Sequence, residues 1–136
     1  MINLTEPMTK ANKLVLVVED FEDNRFMMRR LLEMAGYEVL EATDGEQAMS
    51  LAEERRPALI LMDLSLPRVD GLAATRRIRQ HPEMGQVPIV AVSAHDSADF
   101  HAEALAAGCN DYIPKPIDFD QLDALLLRVL GDAKNC

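Results

Sequence analysis

The sequence predicts an α/β fold: a doubly wound parallel sheet of five strands with five covering helices. Three observations lead there. Short aliphatic runs alternate with amphipathic segments of helical period from residue 14 to residue 130. The densest runs are apolar at every position, as parallel strands buried on both faces must be. Those runs stop on polar side chains, and the helices between them supply the crossovers that parallel strands require.

Leu14-Val15-Leu16-Val17-Val18 is the first strand and stops at Glu19 and Asp20. Met28, Leu31, Leu32 and Ala35 recur at i, i+3, i+4 and i+7, so the first helix is expected between Asn24 and Ala35, with Gly36 placed to cap it. Tyr37 to Ala42 mixes Tyr37 and Val39 with Glu38 and Glu41, the pattern of a partly exposed strand near a sheet edge. Thr43 and Asp44 offer N-cap oxygens to a second helix with Ala48, Leu51 and Ala52 on one face, ended by Pro57.

Ala58-Leu59-Ile60-Leu61-Met62 is the third strand and finishes on Asp63, ahead of a loop from Pro67 to Gly71. Leu72 to Arg79 is the expected third helix, stopped by His81-Pro82, and Pro88 to Val92 the fourth strand, ending on Ser93. The Ala-rich stretch Ser97 to Ala107, followed by Gly108, predicts the fourth helix. Asp111-Tyr112-Ile113 predicts a short fifth strand running into Lys115-Pro116. Leu122, Leu125, Leu126 and Val129 share one face of a fifth helix from Phe119 to Leu130, which stops at Gly131.

A chain of 136 residues buries one substantial core and hardly two, and 49% hydrophobic against 27% charged residues is a globular balance. A net charge of -9 opposes attraction to phosphate backbones or anionic lipid, so no direct nucleic-acid partner is expected. The local basic cluster Arg76, Arg77 and Arg79 is expected to be a solvated helix face. No apolar run approaches the ~20 residues that cross a bilayer. Met1 to Asn12 lacks the order of a secretion signal, so no membrane insertion and a cytoplasmic location are expected. Cys109 and Cys136 lack metal-ligand spacing and predict no disulfide framework; Cys109 is expected as a buried thiol.

In open parallel sheets ligands bind beyond the carboxyl ends of the strands. There the sequence places Glu19 and Asp20, Asp63, Ser93, and Lys115. Carboxylates brought together repel one another unless protons, a cation or the lysine offset the charge, and an oxygen-rich site of this kind suits Mg2+. An Asp carboxylate can attack phosphorus to form an acyl phosphate, while a metal, a lysine and a hydroxyl stabilise the charge on the transferring group. Asp63 is the best-placed nucleophile. Alone it is equally consistent with a turn cap, and Ser93, Lys115 and Tyr112 singly suggest structural roles. Their joint placement reverses the balance.

Together the motifs VVED (17 to 20), LILMDLSLPRVDG (59 to 71), VSA (92 to 94) and DYIPKP (111 to 116) resemble the receiver domain of two-component response regulators, over about residues 13 to 131. The resemblance implies a flavodoxin-like fold with strand order 2-1-3-4-5. It implies phosphorylation of Asp63 by a sensor histidine kinase or a histidine phosphotransfer protein, with Mg2+ held by Asp20, Asp63 and the Ser65 backbone carbonyl and by Glu19 through water. Lys115, joined to Pro116 by a cis bond, would contact the phosphoryl group beside the Ala94 amide. Ser93 and Tyr112 would move together as a switch that remodels the surface of helix four, strand five and helix five for a downstream protein target. Ser65 and His95 stand where family members tune the lifetime of the acyl phosphate.

The expected organisation is a flexible N-terminal tail over 1–12, a receiver domain over 13–131 and a C-terminal tail over 132–136. With so little chain outside the domain, a stand-alone response regulator is expected, acting by protein binding or phosphorelay. It would be a monomer or a phosphorylation-dependent dimer, and a phosphoacceptor, not a turnover enzyme. Glu as the first of the acidic pair and Ser at the switch position are mild departures from the commonest pattern.

Rival functions are weaker. A phosphatase of the haloacid dehalogenase type needs a second acid two residues after its nucleophile, where Ser65 stands. A flavin mononucleotide module shares the fold class, but no Gly- or hydroxyl-rich phosphate loop follows the first strand, and the chain has no Trp. A receiver that no longer accepts phosphate is opposed by its intact acidic, hydroxyl and lysine positions. His95 lacks partners at zinc-ligand spacing. Phe21, Phe26 and Met27 are expected as core filler in preference to an exposed patch where a phosphodonor docks.

Overall fold

The computed structural model describes residues 13–64, 71–93, 98–115 and 117–130. Strands and helices alternate as β1 (Leu14–Val18), α1 (Glu22–Met34), β2 (Glu38–Ala42), α2 (Gly45–Arg55), β3 (Leu59–Asp63), α3 (Gly71–Gln80), β4 (Ile89–Ser93), α4 (Ala98–Ala107), β5 (Asp111–Pro114) and α5 (Phe119–Leu130). The strands form one parallel sheet in the order β2-β1-β3-β4-β5, as expected. Val18 lies beside Met62 and Ala42, Asp63 beside Val92, and Ser93 beside Pro114.

Alternation along each strand splits the apolar runs between two cores. Val15, Val17, Leu59, Leu61, Val90, Val92 and Ile113 pack on one face with Met28 and Leu32 of α1 and Leu122, Leu125 and Leu126 of α5. Leu16, Val18, Ile60, Met62, Ile89 and Ala91 pack on the other with Ala48 and Ala52 of α2, Ala74 and Ile78 of α3, and Ala104 of α4. Helices on both faces explain why β1, β3 and β4 tolerate no polar interior position. Each fully buried aliphatic side chain is worth about 1.5–3 kcal/mol over exposure. β2 lies at the sheet edge, where Glu38 is exposed and Val39 and Leu40 are half-buried.

Element limits move by a residue or two from the expected ones. α1 begins at Glu22, ahead of Asn24, behind a Phe21 N-cap without a side-chain bond, and Glu22 and Asp23 complement the helix dipole. Its apolar periodicity starts only at Met28, so hydrophobic pattern alone starts the helix too late. At its other end Gly36, with φ of 97°, donates to Glu33 O (3.0 Å), while Tyr37 N–H reaches Leu32 O (3.0 Å). That left-handed turn suits glycine. For α2, Asp44 is the cap, accepting from Gln47 N–H (2.9 Å); Thr43 instead donates its own N–H to Gln47 Oε1 (2.8 Å).

Two surface expectations require correction. Arg76 and Arg77 are exposed, but Arg79 is not part of a solvated face. Its guanidinium donates to the carbonyls of Gly108 (2.8 Å), Gly85 (3.0 Å) and Val87 (2.6 Å) and to Asn110 Oδ1 (2.7 Å), tying α3 to the turns before β4 and β5. Phe21, Phe26 and Met27 are exposed by 56%, 61% and 38%, so they do not fill the core. α1 buries Met28 and Leu32, and an immediate neighbour such as Met27 points away from that face.

Cys109 is buried, and burial pushes its thiol pKa up. Among the described residues no helix is long and apolar enough to cross a membrane. Residues 1–12 and 132–136, Ser97 and Gly131 lie outside the described residues.

Candidate functional site

The backbone ladder of the sheet continues one residue beyond three strands. Glu19 N–H donates to Ala42 O (3.0 Å), Leu64 N–H to Val92 O (3.1 Å) and Lys115 N–H to Ser93 O (2.9 Å). The polar residues at these ends are therefore anchored by the sheet, through the almost fully buried β1 and β3 and the half-buried β5.

Glu19, Asp20 and Asp63 converge there, each offering a carboxylate oxygen within 4.8 Å of the others. Glu19 and Asp63 are buried and Asp20 is exposed, so the cluster opens to solvent on one side. Lys115 closes it from β5: its Nζ lies 2.8 Å from Glu19 Oε1 and 3.3 Å from Asp63 Oδ2. The other Glu19 oxygen accepts from Phe21 N–H (3.1 Å). Burial raises the Glu19 pKa, and the bonds from Lys115 and Phe21 only partly offset it. Burial lowers the pKa of the Lys115 ammonium, but Glu19 and Asp63 outweigh that and leave it above its ordinary value.

The donor set fits a hard divalent cation. All three candidate ligands are oxygens, and the exposed side leaves space for the waters that Mg2+ retains. Lys115 and Phe21 engage the two Glu19 oxygens. Ser93 is buried at the end of β4. One strand further out, Tyr112 packs against the α2, α3 and α4 core with its hydroxyl oxygen buried, and its ring centroid is 3.8 Å from that of His101 on α4. Glu19, Asp20, Asp63 and Lys115 are thus brought together, with Ser93 and Tyr112 on the adjoining strands. Ser65, Ala94, His95 and Pro116 lie outside the described residues.

Three residues escaped the sequence analysis. Gly71, expected as loop, is the first residue of α3; a Cβ there would lie 2.3 Å from Asp63 O and 2.7 Å from Leu64 Cα. Only glycine lets α3 approach the end of β3 so closely. Arg25 donates from Nη1 to Glu19 O (3.1 Å) and from Nε to Glu41 Oε1 (2.8 Å). Its one signal is a cation in the first turn of a helix, where the dipole disfavours it. His101 gives no sequence signal, because its partner Tyr112 is on another element.

Residues 15–127 match the family described as response regulator receiver domain. The polar-differentiation response regulator DivK of Brucella anthropi is 39% identical over 121 residues, covering 89% of this chain and 98% of that protein. The receiver domain of sensor histidine kinase PA1611 from Pseudomonas aeruginosa, solved with a magnesium ion coordinated in the active site cleft, superposes with a TM-score of 0.83 and 38% identity. That match covers 90% of this chain and 100% of the other. The receiver domain of Saccharomyces cerevisiae Ssk1, solved with the histidine phosphotransfer protein Ypd1, matches with a TM-score of 0.83 and 29% identity over 88% of this chain and 90% of that one.

Proposed function

Since the chain belongs to the response regulator receiver domain family of two-component signalling, we propose that Asp63 is its phosphoacceptor, charged by a sensor histidine kinase or a histidine phosphotransfer protein. The observation that carries this is the convergence of Glu19, Asp20 and Asp63 at the carboxyl edge of the sheet, with the Lys115 ammonium against Glu19 and Asp63. A carboxylate oxygen of Asp63 attacks phosphorus as the phosphorus–nitrogen bond of a phosphohistidine breaks, and the imidazole leaves with a proton from solvent.

Asp20, Asp63 and the Ser65 carbonyl would hold Mg2+, with Glu19 acting through water. When bound, the ion supplies charge neutralisation for the phosphoryl oxygens. Lys115 would add a second positive charge, and the Ser93 hydroxyl and Ala94 amide would donate hydrogen bonds to the transferred group. Ser65 and His95 stand at the positions that tune the lifetime of the acyl phosphate. The domain, over 13–131, is altered once per phosphorylation and is a signalling switch, not a turnover enzyme.

The charged group favours one of two arrangements in which Ser93 and Tyr112 move together. Tyr112 joins β5 to α4 through His101, so its displacement reaches the α4, β5 and α5 surface. Exposed Leu105 and Leu127 give that surface apolar contact area for a downstream protein or for a second copy in a phosphorylation-dependent dimer. Phe21, Phe26 and Met27, exposed at the N-cap and along α1, form the surface on which the phosphodonor docks.

Incubation with a small acyl phosphate and Mg2+, followed by intact mass, tests the assignment. One phosphoryl adduct is expected on the wild-type chain and none on Asp63→Asn. An adduct that persists in the variant, or none on either protein, rejects Asp63 as acceptor.

A further inference from the structure

The peptide units on both sides of Asp20 are pinned by hydrogen bonds. On its N-terminal side, the carbonyl of Glu19 accepts from Arg25 Nη1 (3.1 Å). On its C-terminal side, Phe21 N–H donates to Glu19 Oε2 (3.1 Å). A peptide unit is planar, so holding one atom of it at a defined point limits the torsions of the residue between two such units. Asp20 is itself exposed, and no burial of its side chain holds it in place. Its direction is set by its neighbours.

Arg25 is in turn held by β2. Glu41 lies on the face of β2 that it shares with Val39, the face toward α1, and its Oε1 receives Arg25 Nε at 2.8 Å. Arg29, one turn further along α1, also pairs with Glu41 and reaches Glu33 at 2.9 Å. The Arg25 side chain is only 17% exposed. Its rigid guanidinium fork spans two fixed oxygens at once, which a lysine ammonium on a flexible stem reproduces poorly. Glu41 also adjoins Ala42, whose carbonyl takes the Glu19 N–H. The β1–α1 loop is thus tied to the end of β2 at two points.

We infer that Arg25, oriented by Glu41, is a positioning residue that presents Asp20 for cation binding without touching the cation. This rests on the assignment of Asp20 and Asp63 as Mg2+ ligands above. The direction of effect separates positioning from charge. A guanidinium bonded to the Glu19 carbonyl, at the peptide unit that leads into Asp20, repels a metal cation held by Asp20, so if its charge were all that mattered, removing it would tighten Mg2+ binding. If it orients Asp20, removing it weakens binding.

The test is calorimetric titration of the full chain with Mg2+ alone, with the unfolding midpoint and amide exchange of Phe21 measured without metal. Arg25→Met is expected to raise the Mg2+ Kd about 10-fold, the lower end of the usual cost of losing a partner behind a metal ligand. Exchange at the Phe21 amide should accelerate, Arg25→Lys should restore only part of the affinity, and excess Mg2+ should recover the Asp63 adduct. Glu41→Gln leaves the guanidinium in place but loosens it; a smaller rise in Kd, not additive with Arg25→Met, is expected. A folded Arg25→Met with unchanged or tighter Mg2+ binding overturns the inference while the acceptor role stands. Should Arg25→Met fail to fold, wild-type affinity in Glu41→Gln overturns it equally. A wild-type chain that binds no Mg2+ and forms no adduct overturns both.

Discussion

The ammonium of Lys115 stands 2.8 Å from Glu19 and 3.3 Å from Asp63, so the longer acid at the first position of the pair takes the closer contact. The lysine is shared between two buried carboxylates whose mutual repulsion it offsets. A metal ion would offset the same repulsion from the exposed Asp20 side.

Lys115→Met therefore exposes a dependence on the cation. Leaving the carboxylates without their ammonium should destabilise the metal-free chain by about 1–3 kcal/mol. Mg2+ at ~100 times its Kd adds about 2.7 kcal/mol to any protein that binds it only when folded. The variant should gain more than the wild type from Mg2+ because the ion also relieves its unpaired acids. Denaturant titrations with and without Mg2+ measure this, and equal gains in the two proteins would place the lysine and the cation in independent roles.

Gly71→Ala should distort the backbone at Asp63. A Cβ 2.3 Å from the Asp63 carbonyl oxygen meets backbone on the end of a buried strand, which cannot yield as a flexible side chain can. Overpacking of this kind costs about 1–3 kcal/mol. A lower unfolding midpoint together with slower adduct formation from a small acyl phosphate is expected. Wild-type values for both would mean that α3 moves freely away from β3.

Met27→Asp should separate docking from chemistry. The side chain is 38% exposed on α1 and takes no part in the acidic cluster. Transfer from a histidine phosphotransfer protein should slow by about tenfold, as expected for ~1.4 kcal/mol lost at an interface. Phosphorylation by a small acyl phosphate should keep its wild-type rate; equal slowing of both reactions would exclude a docking role.

Ser93→Ala should still accept a phosphoryl group at Asp63 but uncouple Tyr112 from it. In NMR spectra the wild type should shift Tyr112, His101 and α5 signals on phosphorylation. In the variant those shifts should shrink while the adduct remains visible by mass. Undiminished shifts would assign the coupling to another residue.

Glu41 sets an acid-side dependence of stability. Burial alone would raise its pKa, but the bonds from Arg25 and Arg29 prevail and hold the carboxyl below its ordinary value. Above the ordinary carboxylate range the folded and unfolded chains are both ionised here, and the pairs contribute in full. As pH falls the unfolded chain protonates first, so that stability is lost as pH drops through the folded value. Glu41→Gln should flatten the fall in denaturant midpoint between about pH 5 and pH 3. Identical slopes would show that the pairs with Arg25 and Arg29 contribute nothing.

Much of this site was legible along the chain because parallel strands buried on both faces leave a local mark. The unbroken runs at Val15–Val18, Leu59–Met62 and Ile89–Val92 each stop where the sheet meets solvent, and Glu19, Asp63 and Ser93 stand at those stops. The order of these residues, their chemistry and the fold class follow from periodicity and residue type, which neighbouring residues determine. Pairings that join distant segments left no such mark. Arg25 and Glu41 are 16 positions apart on a helix and a strand whose approach depends on the packing of α1 against the sheet. Gly71 reads as an ordinary loop glycine until α3 is brought onto the end of β3. Phe21, Phe26 and Met27 were misplaced for the same reason: hydrophobicity is a property of the residue, but which side of α1 meets the core is decided by where the helix docks. The sequence alone determined what chemistry gathers at the edge of the sheet; tertiary packing decided which groups hold it in place, because those contacts exist only after distant elements meet.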